Sequence, residues 1–326
     1  MKIDTITEFC RALRQNETET IADLAPRVDP NAKDRWGNTP LLTAAQYGDL
    51  SLVSVLVGRG AEVDQQKQYL TPITLAARRQ AADIVAYLRN KGATLSVVTW
   101  VYLGDTGKVA RELKRDPKNA RLRDEAGTPL LHHAVEALQT DLVVLLLDHG
   151  AGVDETDPTG ETALHRLADI RQAPQQLATE LAKLLLARGA DPNSRNWDDV
   201  TPLHQAVRAR NLTVVELLLA GGANPNARDK IRGSTPLRRA VSATGAAGTA
   251  GTAALMLPLT RLLLEYGADP DACDKRGVQV RASARAPEIV ALLEEHRREK
   301  RHGRAKGRTN GTAGRRPAEK HLHPKP

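Results

Sequence analysis

The chain runs to 326 residues, 41% apolar and 26% charged, a balance typical of folded chains rather than disordered ones. Aromatic residues make up only 3%, so Leu, Val, Ile and Ala must build the core, which suits packed helices better than a β-sandwich. Two cysteines, Cys10 and Cys273, exclude a disulfide framework and fall short of a zinc site, and no apolar run approaches the length of a membrane span.

In chain order, the start MKIDTITEFCRALRQ lacks the uninterrupted apolar stretch of a secretory signal, so a cytoplasmic chain without membrane association is expected. TEFCRALRQNETETIADLAP has helical apolar spacing, and residues 1–33 read as an N-terminal helical cap. Residues 34–95 carry two helix-pair units, marked by TPLL at Thr39–Leu42 and TPIT at Thr71–Thr74. Residues 96–124 keep helix-pair periodicity without those markers, with Asp116-Pro117 ending the second helix, and read as a degenerate third unit.

Residues 125–274 carry four more units. Two of these hold insertions between their helices, one around Ala173-Pro174 and one that includes the flexible stretch SATGAAGTAGTA. Residues 275–296, with APEIVALLEEH, read as a C-terminal cap, since the last units of an array have an unstacked face. Residues 297–326 are nearly free of apolar side chains and are expected to be a disordered basic tail. The tail holds eleven Lys/Arg and two Glu, a net +9, whereas residues 1–296 hold 36 and 37, a net −1. The overall +8 therefore belongs to the tail.

The units are fixed by phase. Gly-Ala pairs begin at Gly60, Gly92, Gly150, Gly189, Gly222 and Gly267. Four residues before each stands Leu56, Leu88, Leu146, Leu185, Leu218 or Leu263, and an apolar residue stands eight before, which puts each pair on one helical face. A Gly just past such a helix suits the left-handed position that ends one. Leu42, Thr74, His132 and His204 each stand 18 residues before their Gly. Register thus makes His132 the counterpart of His204, and Thr128-Pro129 a shifted look-alike of Thr201-Pro202.

The pattern D-x-x-G-x-T-P-L-H-x-A, followed by a Leu-rich run and G-A-D-P-N, resembles the ankyrin repeat family over roughly residues 25–295. DRWGNTPLLTAAQYGDLSLVSVLVGRGAEVD and VTPLHQAVRARNLTVVELLLAGGANPN carry the resemblance best. It implies an all-α solenoid of helix–turn–helix repeats with short β-hairpin-like fingers. It also implies a structural role for His132, His165 and His204. Thr201 is a good helix N-cap, Pro202 suits the next position, and an imidazole three residues after the cap can reach back to it. The same slot holds Leu42, Thr74 and Arg238, which no shared catalytic base would tolerate.

No nucleophile–base set, phosphate loop or metal-ligand spacing stands out, so no enzyme activity, cofactor or metal is expected. The functional signal is the variable surface. Finger and first-helix residues Arg35, Trp36, Tyr69, Arg78, Arg79, Trp197, Asp198, Asp199, Lys230, Ile231 and Arg232 are candidates for binding a partner protein with acidic patches. Each tryptophan admits a second reading, as a cover for the adjacent finger. The protein is expected to be a monomeric, non-catalytic interaction scaffold. One alternative is a polyanion or nucleic-acid tether through Arg297, Arg298, Lys300, Arg301, Arg304, Lys306, Arg308, Arg315 and Arg316, non-specific because the tail lacks aromatic rings. Another is an adaptor that regulates a separate enzyme.

Overall fold

The structure, a computed structural model, describes residues 5–15, 17–67, 70–171, 173–242 and 252–309. It divides into two compact units, residues 1–197 and 198–326. The first unit opens with α1 (Thr5–Gln15) and α2 (Thr18–Leu24). Helix pairs follow: α3 (Pro40–Tyr47) with α4 (Leu50–Gly58), α5 (Pro72–Arg78) with α6 (Ala82–Asn90), and α7 (Val97–Tyr102) with α8 (Thr106–Arg115). A 3-10 turn at Pro117–Arg121 leads to α9 (Leu130–Glu136) with α10 (Thr140–Asp148), then α11 (Ala163–Asp169) with α12 (Gln175–Ala187). The second unit holds α13 (Pro202–Ala209) with α14 (Leu212–Ala220), α15 (Pro236–Ser242) with α16 (Thr252–Glu265), and α17 (Val280–Ser283) with α18 (Pro287–Thr309).

Within each unit the first helix of a pair packs on the first helix of the next, as α3 does on α5 and α13 on α15. Second helices do the same, as α4 on α6 and α14 on α16. The apolar positions fixed by phase are the core: Leu56, Leu88, Leu146, Leu185, Leu218 and Leu263 are all completely buried. The caps explain where the helices begin. Thr39, Thr71 and Ser96 each accept a hydrogen bond from the backbone amide three residues on. They end where expected, at Gly60, Gly92, Gly150, Gly189, Gly222 and Gly267, all with φ between 86° and 90°. The turn inside a pair also needs a left-handed residue, supplied by Gly48, Gln80, Gly104, Leu138 and Arg210.

Three expectations are refined. Among the described residues the fingers form turns with isolated bridges, such as Arg123 with Pro129, and no named strand. The insertions are partly absorbed as helix: α12 has 13 residues and α16 has 14, against 9 in α10 and α14. SATGAAGTAGTA lies mostly outside the described residues, and its end already belongs to α16. Helix α18 continues to Thr309, so the boundary at 296 falls inside a helix. Arg, Lys, Glu and Ala are good helix formers, which accounts for the extension of the backbone helix into the basic segment. Residues 310–326 lie outside the described residues.

Candidate functional site

Five fingers are each built around one inward-facing carboxylate, Asp34, Asp124, Asp157, Asp229 or Asp274. Asp34 Oδ1 accepts from the amides of Trp36 and Asn38 at 2.9 and 2.8 Å. Asp124 takes Ala126 and Thr128, Asp157 takes Thr159 and Glu161, and Asp274 takes Arg276 and Val278, all within 3.0 Å. Asp34, Asp157 and Asp274 are buried, and so is the side chain of Asp124. Gly37, Gly127, Gly160 and Gly277, three residues after them, complete the turn at positive φ. Burial alone raises the Asp157 carboxyl, but bonds from Thr159, Glu161 and Arg166 outweigh it and hold it below the usual range. Asp124 and Asp229 are held low in the same way, by His133 and Arg239 respectively. In the finger of Asp198 and Asp199, Asp199 takes a left-handed conformation, φ 55°, of the kind glycine adopts elsewhere.

With the aspartate turned inward, the tip side chains are left outside. Trp36 is 47% exposed and its ring meets two guanidiniums, Arg35 at 4.0 Å and Arg14 at 5.1 Å from its centre. Trp197 is 65% exposed, yet its indole N–H donates to the Pro158 carbonyl at 2.7 Å. Its ring also covers Gly160, where an added Cβ would stand 3.0 Å from Cδ2. The covering role therefore holds for Trp197, with one face still open. Tyr69 lies outside the described residues.

The finger of Asp229 differs from the others. Its Gly233 stands four residues after the aspartate, and the Gly233 amide bonds the Asp229 carbonyl at 3.0 Å across that longer span. The extra residue puts Ile231 at the apex, 68% exposed, between Lys230 and Arg232. The sequence held the signal, an Asp-to-Gly spacing of four where other fingers have three. Lys230 N–H donates to the Asp198 carbonyl at 2.8 Å, and Lys275 N–H to the Arg232 carbonyl at 2.9 Å.

The first helices are less open than their arginines suggest. Arg78 pairs with Glu136, which accepts from the Tyr102 hydroxyl at 2.9 Å. Tyr102 also meets His133 Nδ1 at 3.0 Å, and His133 Nε2 meets Asp124 at 2.8 Å. This polar chain runs across α5, α7 and α9 into a finger. Arg166 pairs with Asp157, and Arg239 with Asp229 at 2.9 Å, so both tie a helix to its own finger. Arg79 is exposed at the end of α5.

The histidines act as fasteners. Thr201 N–H donates to His204 Nδ1 at 3.2 Å, so Nδ1 is unprotonated and Nε2 carries the hydrogen toward the Ser234 carbonyl, 2.9 Å away. Thr162 and His165 repeat the capping box. His132 repeats the outer bond, with Nε2 at 2.9 Å from the Glu161 carbonyl. Its cap position is Pro129, which has neither hydroxyl nor N–H, so the buried Nδ1 has no partner. Burial pushes the His132 imidazole down to about 4.

Helix α7 is short, with Ser96 to Gly104 spanning one residue fewer than Thr39 to Gly48. Beside it a cavity of about 270 Å³ opens, lined by Ala77, Val85, Tyr102, Leu103 and Gln139. Among the described residues there is no cluster of metal-ligating side chains, and no helix is long and apolar enough to cross a membrane. In the basic segment, Arg297 pairs with Asp271 at 2.8 Å, and the backbone carrying Arg298, Lys300, Arg301, Arg304, Lys306 and Arg308 is helical. Arg315 and Arg316 lie outside the described residues.

Comparison with known families and proteins agrees with this geometry. Two models, both described as ankyrin repeats, match residues 9–99 and 100–196, and residues 178–240. The chain is 30% identical over 213 residues to NF-kappa-B inhibitor delta of Mus musculus, covering 61% of each. It is 25% identical over 190 residues to an intracellular phospholipase A2 of Caenorhabditis elegans, 54% of this chain but 17% of that protein. The chain thus spans less than two thirds of these curated relatives. The solved ankyrin repeat domain of Bcl-3 is 26% identical, with 79% of this chain and 99% of that one covered and a TM-score of 0.47.

Proposed function

Because the chain belongs to the ankyrin repeat family, we propose that it is a non-catalytic scaffold whose fingers and first helices hold a partner protein. The observation that supports this reading is the division of labour in the fingers. Buried aspartates and left-handed glycines hold most of the turns, while the side chains of Trp36 and Ile231 stand exposed at the tips outside the turn bonds, and Trp197, whose indole N–H holds the Pro158 carbonyl, is still largely exposed. Large exposed side chains on a rigid frame are what an interface core requires. The relative named as an inhibitor of NF-kappa-B fits a role exercised on another molecule. In this reading Arg35, Trp36, Tyr69, Arg79, Trp197, Asp198, Asp199, Lys230, Ile231 and Arg232 face the partner, and Arg78 helps to set the frame. Immobilised full-length protein should capture partners that mass spectrometry finds depleted when Trp36 and Trp197 are replaced by Ala. An unchanged set, with the fold intact by circular dichroism, would sink the reading.

A second reading rests on the basic segment, in which a helical backbone carries Arg298 to Arg308. It makes residues 297–326 a non-specific contact for a polyanion. The phospholipase relative keeps a third reading open, in which the repeats serve as adaptor to a separate enzyme.

A further inference from the structure

Resting on the reading that partners are taken at the fingers, we propose a specific ligand for the edge formed by residues 229–233 and 274–276. It is an extended acidic segment of a partner protein, carrying an aliphatic side chain that packs on Ile231. The two fingers are locked side by side. Lys275 N–H donates to the Arg232 carbonyl at 2.9 Å, and a Cβ on Gly233 would stand 2.9 Å from Lys275 Cγ. The lock brings Arg232, Lys275 and Arg276 together on one edge, with Lys230 beside them toward Asp198.

The acidic residues of these two fingers do not offset the charge of Arg232, Lys275 and Arg276 at the surface. Asp229 and Asp274 are 6% and 9% exposed, and their oxygens are taken by backbone amides and by Arg239 and Arg238. Among the described residues neither Arg232 nor Arg276 makes an ion pair, and the Arg276 guanidinium acts on Asp274 only through its field, that carboxylate being paired with Arg238. A cluster of like charges repels itself unless a ligand of opposite sign joins it, so the edge favours an anionic partner. The apex selects among anions. Ile231, pushed out by the extra residue, is 68% exposed and branched, and it offers an apolar contact to a side chain. No aromatic ring in either finger can stack a base, so a peptide fits this edge better than a nucleic acid.

The test measures fluorescence anisotropy on the full chain with three labelled probes. These are a short Asp/Glu peptide with one central Leu, the same peptide with Ser in place of Leu, and an oligouridine of equal charge. The Leu peptide should bind best, with affinity falling at high salt. Arg232→Glu with Arg276→Glu should weaken it by about tenfold or more. Ile231→Ser should erase the preference for Leu over Ser, about fivefold, and this exposed substitution keeps the fold if the charge reversal does not. Binding unchanged in both variants would assign the charge contact to the tail and overturn the proposal. So would oligouridine binding more tightly than the Leu peptide, or a Leu that makes no difference. These measurements use purified protein and the partner capture uses a lysate, so either idea can fail alone.

Discussion

At the scale of single residues, position 129 decides the chemistry of His132. In α11 and α13 the imidazole answers to a threonine that supplies both a hydroxyl and an amide. In α9 it faces Pro129, and its buried Nδ1 is left alone. Replacing Pro129 with Thr should therefore stabilise the protein by about 1 kcal/mol, net of the proline's lost restraint, read as a rise in denaturant midpoint. The same burial makes His132 a source of pH dependence. Its folded value of about 4 lies below the ordinary 6.5, so the unfolded chain takes the proton first. The contribution is complete above pH 6.5 and is lost as pH falls toward 4, on the order of 3 kcal/mol in all. His132→Leu, in a slot that already accepts Leu42, should flatten stability between those values while changing it little at neutral pH. Equilibrium unfolding at several pH values checks both.

At the scale of elements, the fingers of Asp34, Asp124, Asp157 and Asp274 are turns held by one carboxylate and one left-handed glycine. Ala at Gly37 or Gly160 should cost about 1 kcal/mol for the backbone alone. Gly160→Ala should cost visibly more, because its Cβ would stand 2.9 Å from the Trp197 amide nitrogen, whereas nothing lies within 4 Å of one at Gly37. Paired urea titrations give the difference. The helix pairs, their glycine stops and the register of His132 were legible in the sequence because they repeat in phase. What one copy does differently was harder to see. The orphaned Nδ1 of His132 depends on a residue three positions away. The polar chain from Arg78 to Asp124 joins separate repeats, and such contacts carry no periodic signal.

At the scale of the whole molecule, charge and fold are separable in sequence: residues 1–296 are near neutral and residues 297–326 hold the excess. If the basic segment contacts a polyanion, removing residues 297–326 should abolish salt-dependent binding to heparin or single-stranded RNA. The melting temperature should hardly move, because the buried residues of α18, Ile289, Leu292 and Leu293, all remain. Removing only 310–326 should leave part of the salt slope, carried by the residues before Thr309. Electrophoretic mobility at several salt concentrations, beside a thermal melt, separates the outcomes.

The buried aspartate of a finger also bears on how the protein could be re-engineered. Its bonds to the tip run to main-chain amides, which every residue but proline supplies, and its side-chain partners, such as Arg166, His133 and Arg239, lie on the helices. The tip is therefore a cassette, whose letters can be rewritten without renegotiating the frame. Transplanting Lys-Ile-Arg, with its longer loop, from 230–232 into the tip at Arg35-Trp36 should move a recognition preference from one repeat to another.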